Sequence, residues 1–575
     1  MTKKVMNSLD KIKSHIVKEI NKALGQDIVQ ASLLVYPPNP EMGDISLPSF
    51  EVAKELKQNP RELIDNLISK IKSDKIIVGV KFVGPYLNFV INKEYLIEEV
   101  INEVNKSKEN FGSNDNLKKK KIMIEYAHPN PFKSFHIGHL RNIILGESIA
   151  RIIESQGAEV VRVNYQGDVG MHIAKCIWAF KEVDPKKYPK TADEKVALLG
   201  KCYAEGAKAF EEDQVAKQLI TYINKQIYEG EDKDIKKLWE LGKKWSFEKF
   251  HEIYKRLDTH FEREYMESEV MVIGEKQVEK ALKKNILEKS EGAVIFNGKK
   301  YDLDTRVFLN SEGLPTYEGK ELGLAMSEFE DFGKIDLCIH NVAIEQISFF
   351  KVTFKVQELL DAKKFKDKQY HNAYEFVGLK SGKMSSRKGQ VIFGNDIMNQ
   401  AVEKIEEKTK NKDLKNIEDL YEKIGVGAVK YSFLKISPFK YLAFDLDESV
   451  SFEGDSGPYL LYTYARIQSI FRKAGVKKTK KQNLDSLTDE KEKYLTLKIA
   501  KYPEVVEKAA QNYDPSEIAK YVFELTKEFN DYYHSVQILK SDEDVKQARL
   551  VLLDSVGQVI KNGLNLLGID VVDEM

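Results

Sequence analysis

The chain has 575 residues, 42% of them hydrophobic and 31% charged, with 90 lysines and arginines balancing 90 aspartates and glutamates. At roughly 100–200 residues per domain this predicts three or four folding units, and the lack of an apolar run of spanning length points away from a membrane partner. The zero net charge excludes a whole-protein field that gathers a polyanion, so any nucleic-acid contact must be a local patch.

The opening Met1-Thr2-Lys3-Lys4 is not followed by an apolar stretch, and Asp10 and Glu19 sit among its lysines, which predicts no leader and a cytoplasmic location. Helical spacing of Leu9, Ile12, Ile16 and Ile20 leads into a loop with Pro37, Pro38 and Pro40 before Gly43-Asp44. A second helix is expected from near Leu47, then strands at 76–82 and 86–91, so that 1–112 reads as a small α+β domain. Polar residues at 106–121 have linker composition. A strand at 122–126, a helix at 138–156 and a strand at 160–165 make a βαβ unit, which requires a parallel sheet with a right-handed crossover.

Within this second domain, 113–400, the lysine- and glutamate-rich stretch 185–264 reads as an inserted helical segment, with strands returning at 293–305. The three cysteines, Cys176, Cys202 and Cys338, are far apart and make no metal-ligand pattern, and a buried His172 and Cys176 pair on one helix face is expected over a metal site. Beyond 397 nearly everything has helical period, giving a connecting region at 401–455 and a helical bundle at 456–575. Basic runs at 118–121 and 473–481 read first as solvated loops.

Chemistry is concentrated at 127–142, between the first strand of the βαβ unit and its helix, where His136-Ile137-Gly138-His139 stands. A His-x-Gly-His string arises by chance on the order of 0.01 times in a chain of this composition. A helix N-terminus at the carboxyl end of a parallel strand holds phosphates, Gly138 leaves room for a flat base, and two histidines can donate to charge developing on a triphosphate. Far downstream, Gly382-Lys383-Met384-Ser385-Ser386-Arg387-Lys388-Gly389 is a glycine-bounded basic loop able to fold over phosphates. With the histidine string before it, this pair of motifs resembles those of class I aminoacyl-tRNA synthetases.

Among these the chain is similar almost from end to end to the arginyl-tRNA synthetases. The resemblance is carried by 125–130 with Lys133, by Gly167-Asp168-Val169-Gly170, by Thr316-Tyr317-Glu318-Gly319-Lys320-Glu321, by Gln346 and by the string YLLYTYARIQSI at 459–470. Val169 replaces that family's tryptophan, Glu321 its aspartate, and the ending VVDEM at 571–575 its usual proline-glutamate-arginine. The resemblance implies a multidomain α/β protein: a Rossmann-like parallel-sheet catalytic domain, an N-terminal α+β domain that touches the tRNA corner, and a C-terminal α-helical bundle that binds the anticodon.

It further implies an arginine–tRNA ligase using ATP with Mg²⁺, L-arginine and tRNA(Arg), acting as a monomer. His136, His139, Lys133 and Lys383 would be catalytic, with His136, Gly138, His139, Lys383, Met384, Ser385 and Lys388 on ATP. Lys133 would replace the cation lost where Ser386 stands in the family's KMSKS loop. Glu125, Asn130, Tyr317, Glu321 and Gln346 would form the arginine pocket, since a guanidinium has five donors and no acceptor; the resemblance implies that Glu125 faces the α-amino group, although the residues alone leave either glutamate able to meet the guanidinium. Tyr459, Arg466 and Tyr533 would contact tRNA, while most of Tyr502, Tyr513, Tyr521 and Tyr532 would pack between helices.

The rival readings are a small-molecule nucleotidylyltransferase, which leaves the long helical region unexplained, another class I synthetase such as a cysteinyl type, which lacks its metal cysteines here, and a non-catalytic tRNA-binding homologue, which has no need of the histidines and the lysine loop.

Overall fold

The computed structural model describes residues 6–133, 135–380, 393–409, 417–476 and 484–575. Two compact units divide it. The first joins 1–116 to 452–512 and 517–575, and the second contains 117–451 with 513–516.

In the first unit, α1 (Ser8–Leu24) starts on an Asn7 cap and ends on left-handed Gly25, burying Leu9, Ile12, Ile16 and Ile20 as the period requires. It packs with α3 (Pro60–Lys70) and α4 (Lys93–Ser107) on an antiparallel sheet of order β1-β3-β2, built from β1 (Ile45–Pro48), β2 (Ile77–Val83) and β3 (Tyr86–Ile91). Leu47 thus lies in a strand, paired with Leu87, and α2 (Ser49–Leu56) begins two residues later than its hydrophobic spacing suggests. Pairing with β3 outcompetes the helix there, as tertiary context does for short segments.

The second unit is built on a five-stranded parallel sheet. Its strands are β4 (Lys121–Glu125), β5 (Glu159–Gln166), β6 (Arg263–Met266), β10 (Leu337–Ala343) and β11 (Gln369–Tyr374), in the order β11-β10-β4-β5-β6. Helix α5 (Ile137–Glu154) makes the crossover from β4 to β5. Four helices separate β5 from β6: α6 (Met171–Phe180), α7 (Ala192–Glu212), α8 (Gln214–Glu229) and α9 (Lys233–Arg256). After β6 come α10 (Glu267–Lys283), a small antiparallel sheet of β7 (Glu288–Ser290), β8 (Ala293–Phe296) and β9 (Arg306–Leu309), then α11 (Tyr317–Asp331) and α12 (Ile347–Leu360). The chain order reverses at β4, so the crevice beyond its carboxyl end is the switch point where such sheets bind ligands.

Beyond 397, where nearly everything is expected to be helical, one strand occurs among the described residues: β13 (Leu442–Phe444), which pairs in parallel with β12 (Val377–Leu379). Three residues are too few for a period to show. The helical part of the first unit includes Gly457–Ala474, Glu490–Ala500, Ser516–Ser535 and Glu543–Leu566. No helix of the described residues is long and apolar enough to cross a membrane.

Candidate active site

Strand β4 ends on Glu125, and the chain then turns through Ala127 (φ 86°), His128 (φ 51°) and Phe132 (φ 64°). Left-handed backbone costs a non-glycine residue roughly 1–2 kcal/mol and persists where its surroundings dictate it. Here they do. Ala127 N donates to Asn142 Oδ1 at 2.7 Å, His128 N to Asn164 Oδ1 at 3.0 Å and Phe132 N to Ser246 Oγ at 3.0 Å, so α5, β5 and α9 together set the loop.

The loop delivers His136 as the N-cap of α5. Gly138 N donates to His136 Nδ1 at 3.1 Å, His136 N donates to His139 Nδ1 at 3.2 Å, and the two rings stack with centroids 3.8 Å apart. A ring nitrogen that accepts an N–H carries no proton, so each imidazole is neutral with its proton on Nε2. The surroundings agree: burial, then Lys133, lowers the pKa of His136, and burial, then the neighbouring His136, His128 and Lys133, holds His139 well below the usual range. Two tautomerically fixed Nε2–H donors therefore stand at a helix N-terminus, whose dipole favours an anion. A Cβ on Gly138 would lie 2.9 Å from His136 Cε1, so glycine is required by the folded-back imidazole as well as by any base beside it.

Glu125 and Glu321 are 2% and 3% exposed, yet their states differ. Burial raises the pKa of Glu125, but His340, with Nδ1 3.1 Å from Oε2, and then His128 bring it down to about 2. His340 Nε2 faces Gln369 Oε1 at 2.8 Å, so both ring nitrogens donate and the ring is cationic; burial opposes that charge, and Glu125 lifts its pKa to about 9. Glu321 is in no such ion pair, and the charge of His340 and the Gln357 amide only partly favour its ionised form. Its Oε1 receives no hydrogen bond, and burial, then the charge of Glu125, pushes its pKa up to about 8. One carboxylate is balanced and the other lacks a cation.

One cavity of about 890 Å³ in the second unit is lined by Glu125, Asn130, His136, Gly138, His139 and Glu321, with Tyr317 and Gln346 also in its wall. That is the volume of a nucleotide-sized or drug-sized ligand. Tyr317 is 68% exposed, at the start of α11. A Cβ on Gly167 would lie 2.6 Å from Asn130 Oδ1, which explains the glycine. Lys133 is not part of the wall; it is half-buried, and Glu267 offsets the burial that lowers its pKa. Lys383, Met384, Ser385 and Lys388 lie outside the described residues.

Two residues to which the sequence reading gave no individual role, Asp168 and Arg141, help to build the site. Asp168, fully buried, accepts from Ser268 N at 2.8 Å, Ser268 Oγ at 2.7 Å and Lys243 Nζ at 3.2 Å, tying α9 and the first turn of α10 to the end of β5. Buried Arg141 donates to the carbonyls of Phe376, Pro438 and Lys440, fixing the backbone that leads into both β12 and β13. His172 Nε2 lies 3.2 Å from Gly167 O and Cys176 Sγ donates to Leu199 O, so both have partners within the protein. No cluster of three or more metal-ligating side chains occurs among the described residues.

In the first unit Arg466 donates to Asn530 Oδ1 at 2.8 Å and lies over the rings of Tyr462 and Tyr533, while Asn530 Nδ2 donates to the Tyr459 hydroxyl at 2.8 Å. Asn530 thus joins Arg466 to Tyr459, and the Tyr533 ring lies against the same guanidinium. Tyr502, Tyr521 and Tyr532 are core residues, 1%, 4% and 1% exposed.

A parallel sheet with a histidine-capped helix at its switch point is the catalytic arrangement of class I aminoacyl-tRNA synthetases, and residues 100–445 match the family model described as tRNA synthetases class I (R), catalytic domain. Residues 10–91 match the arginyl tRNA synthetase N terminal domain and 460–575 the DALR anticodon binding domain. The arginine–tRNA ligase of Treponema denticola is 37% identical over 94% of each chain, and that of Halothermothrix orenii 33% identical over 98% of this chain and 99% of its own. The Thermus thermophilus arginyl-tRNA synthetase structure superposes with a TM-score of 0.78 at 24% identity, covering 98% of this chain and 100% of that one, which shows a common fold. The chain belongs to the arginyl-tRNA synthetase family.

Proposed function

We propose that this chain is an arginine–tRNA ligase that activates L-arginine with ATP and transfers it to the 3′ end of tRNA(Arg). The observation that carries the reading is the single cavity shared by two fixed Nε2–H donors and two buried glutamates of unlike state. Glu321, short of a cation, receives the guanidinium, and Glu125, already balanced by His340, faces the α-amino group. Asn130, Tyr317 and Gln346 orient the amino acid.

The arginine carboxylate attacks the α-phosphate in line, pyrophosphate leaves, and His136 and His139 donate to the charge that develops. Lys133 adds positive potential beside them, and Lys383, with Met384, Ser385 and Lys388, belongs to the ATP site on sequence grounds. Mg²⁺ enters with the ATP phosphates, as this ion commonly does. Transfer to the ribose hydroxyl then needs positioning above all. A site that pairs a guanidinium rejects uncharged analogues without editing. Tyr459, Arg466 and Tyr533 contact the tRNA, and we take the enzyme to be a cytoplasmic monomer.

The test is aminoacylation of total tRNA with each of the standard amino acids in turn. Arginine alone should be attached. Charging with a different amino acid, or none, would overturn the reading.

A further inference from the structure

Glu328 lies on α11 seven residues after Glu321, and therefore on the same face of the helix two turns on. It is 0% exposed, and neither of its carboxylate oxygens receives a hydrogen bond. The ionisable groups facing it are Glu125 of β4, Tyr265 of β6, Cys338 of β10, and Glu321 and Asp331 of its own helix. None supplies a donor, because the Tyr265 hydroxyl donates instead to Asp331 Oδ2 at 2.9 Å.

A buried carboxylate with no donor is far too costly to persist, and two adjoining carboxylates share one proton. Glu125 has the cationic ring of His340 beside it and keeps its charge. The proton therefore resides on Glu328, consistent with the strong upward push that burial, then Glu125, exerts on it. A protonated carboxyl must place its O–H on an acceptor, and the acceptor in hydrogen-bonding contact with it is the Glu125 carboxylate, in a charge-assisted bond of the stronger kind.

We infer that Glu328 is a positioning residue of the amino-acid pocket, a buried carboxylic acid that donates its O–H to Glu125 and fixes that carboxylate, ionised, toward the cavity. This rests on the reading of Glu125 as a substrate-facing group. It follows that Glu328 supports the pocket from behind and adds no charge of its own to those that meet the substrate.

Glu328→Gln keeps the shape and a donor, whereas Glu328→Leu removes the donor and fills the space with carbon. Loss of a hydrogen bond to a charged group corresponds to about 10- to 100-fold, so Glu328→Leu should raise the KM for arginine by about that factor with the KM for ATP unchanged. Glu328→Gln should stay within about threefold of the parent for arginine, its amide donating where the acid did. A merely structural role predicts the opposite for leucine, since an apolar replacement of a buried polar group is often neutral. Infrared difference spectra of the parent against Glu328→Gln, on the full-length protein, should show loss of a protonated-carboxyl C=O band.

Equal losses in the two variants would show that the charge, not the donor, matters and would overturn the inference, as would a leucine variant with an unchanged arginine KM. If Glu328→Leu does not fold, the infrared comparison decides alone: absence of the lost band overturns it. An enzyme that charged a different amino acid would fail the test of function while leaving the infrared result standing.

Discussion

His136 and His139 each spend Nδ1 on a backbone N–H, so capping and the proposed catalysis would use different atoms of the same rings. His139→Ala should lower kcat about 10²-fold or more with little change in the KM for ATP, and the lost cap should destabilise the protein by about 1 kcal/mol. His139→Asn separates the two roles: its Oδ1 can take the His136 N–H, restoring the melting temperature, but no donor stands where Nε2–H was, and kcat stays low. Recovery of kcat in the asparagine variant would contradict the donor role. Glu321 predicts a pH dependence. Burial and Glu125 raise its pKa to about 8, so the free enzyme holds it protonated below that pH, and binding a guanidinium requires loss of the proton. Measured kcat/KM for arginine should therefore climb with pH, about tenfold per unit well below 8, and level off above. Glu321→Gln should abolish that limb and cost about 2–5 kcal/mol in arginine use; a limb that survives assigns the titration to a different group.

The loop from β4 to α5 is placed by elements distant in sequence, and the approach of α9 is the closest. A Cβ on Gly242 would lie 2.1 Å from Cε1 of Phe132, a left-handed residue of that loop. By helix propensity alone Gly242→Ala should stabilise α9 by about 1 kcal/mol. Overpacking against a buried ring costs about 1–3 kcal/mol, so the clash wins. Because a displacement near 1 Å can cost about 10²-fold, kcat should fall at least tenfold although Gly242 touches no substrate; a variant with unchanged kcat and a raised melting temperature would show the loop to be compliant. The strand, helix and histidine string were legible in the sequence because they are contiguous and periodic. Glu125 and Glu321 could be named, but not ranked, because their ranking depends on His340, which pairs with Glu125 across 215 positions. Glu328 was open to view as a carboxylate seven residues after Glu321, but its burial was not. Leu47 and β13 misled the period because short strands are decided by the partners they find.

At the scale of the molecule, the first unit is assembled from both ends of the chain. Lys493 of the helical region meets Asp44 at 2.7 Å, both buried, and Asp44 Oδ2 also accepts from Ile91 N, which gives the Gly43-Asp44 loop a structural task. Removing one partner of a buried pair typically costs about 3–5 kcal/mol. Lys493→Met should lower the denaturation midpoint accordingly and raise the KM for tRNA, with the KM values for ATP and arginine unchanged; equal weakening of all three would place the pair's influence on the catalytic unit. In the proposed reaction one cavity brings arginine and ATP together, with Glu321 on the guanidinium and the two histidines on the α-phosphate. A structure of the protein bound to a non-hydrolysable arginyl-adenylate analogue tests it most directly. The guanidinium should lie within hydrogen-bond reach of Glu321, the α-amino group at Glu125 and the phosphate at Nε2 of His136 and His139. A guanidinium bound at Glu318 beside Arg306, with Glu321 still unpaired, would contradict the account.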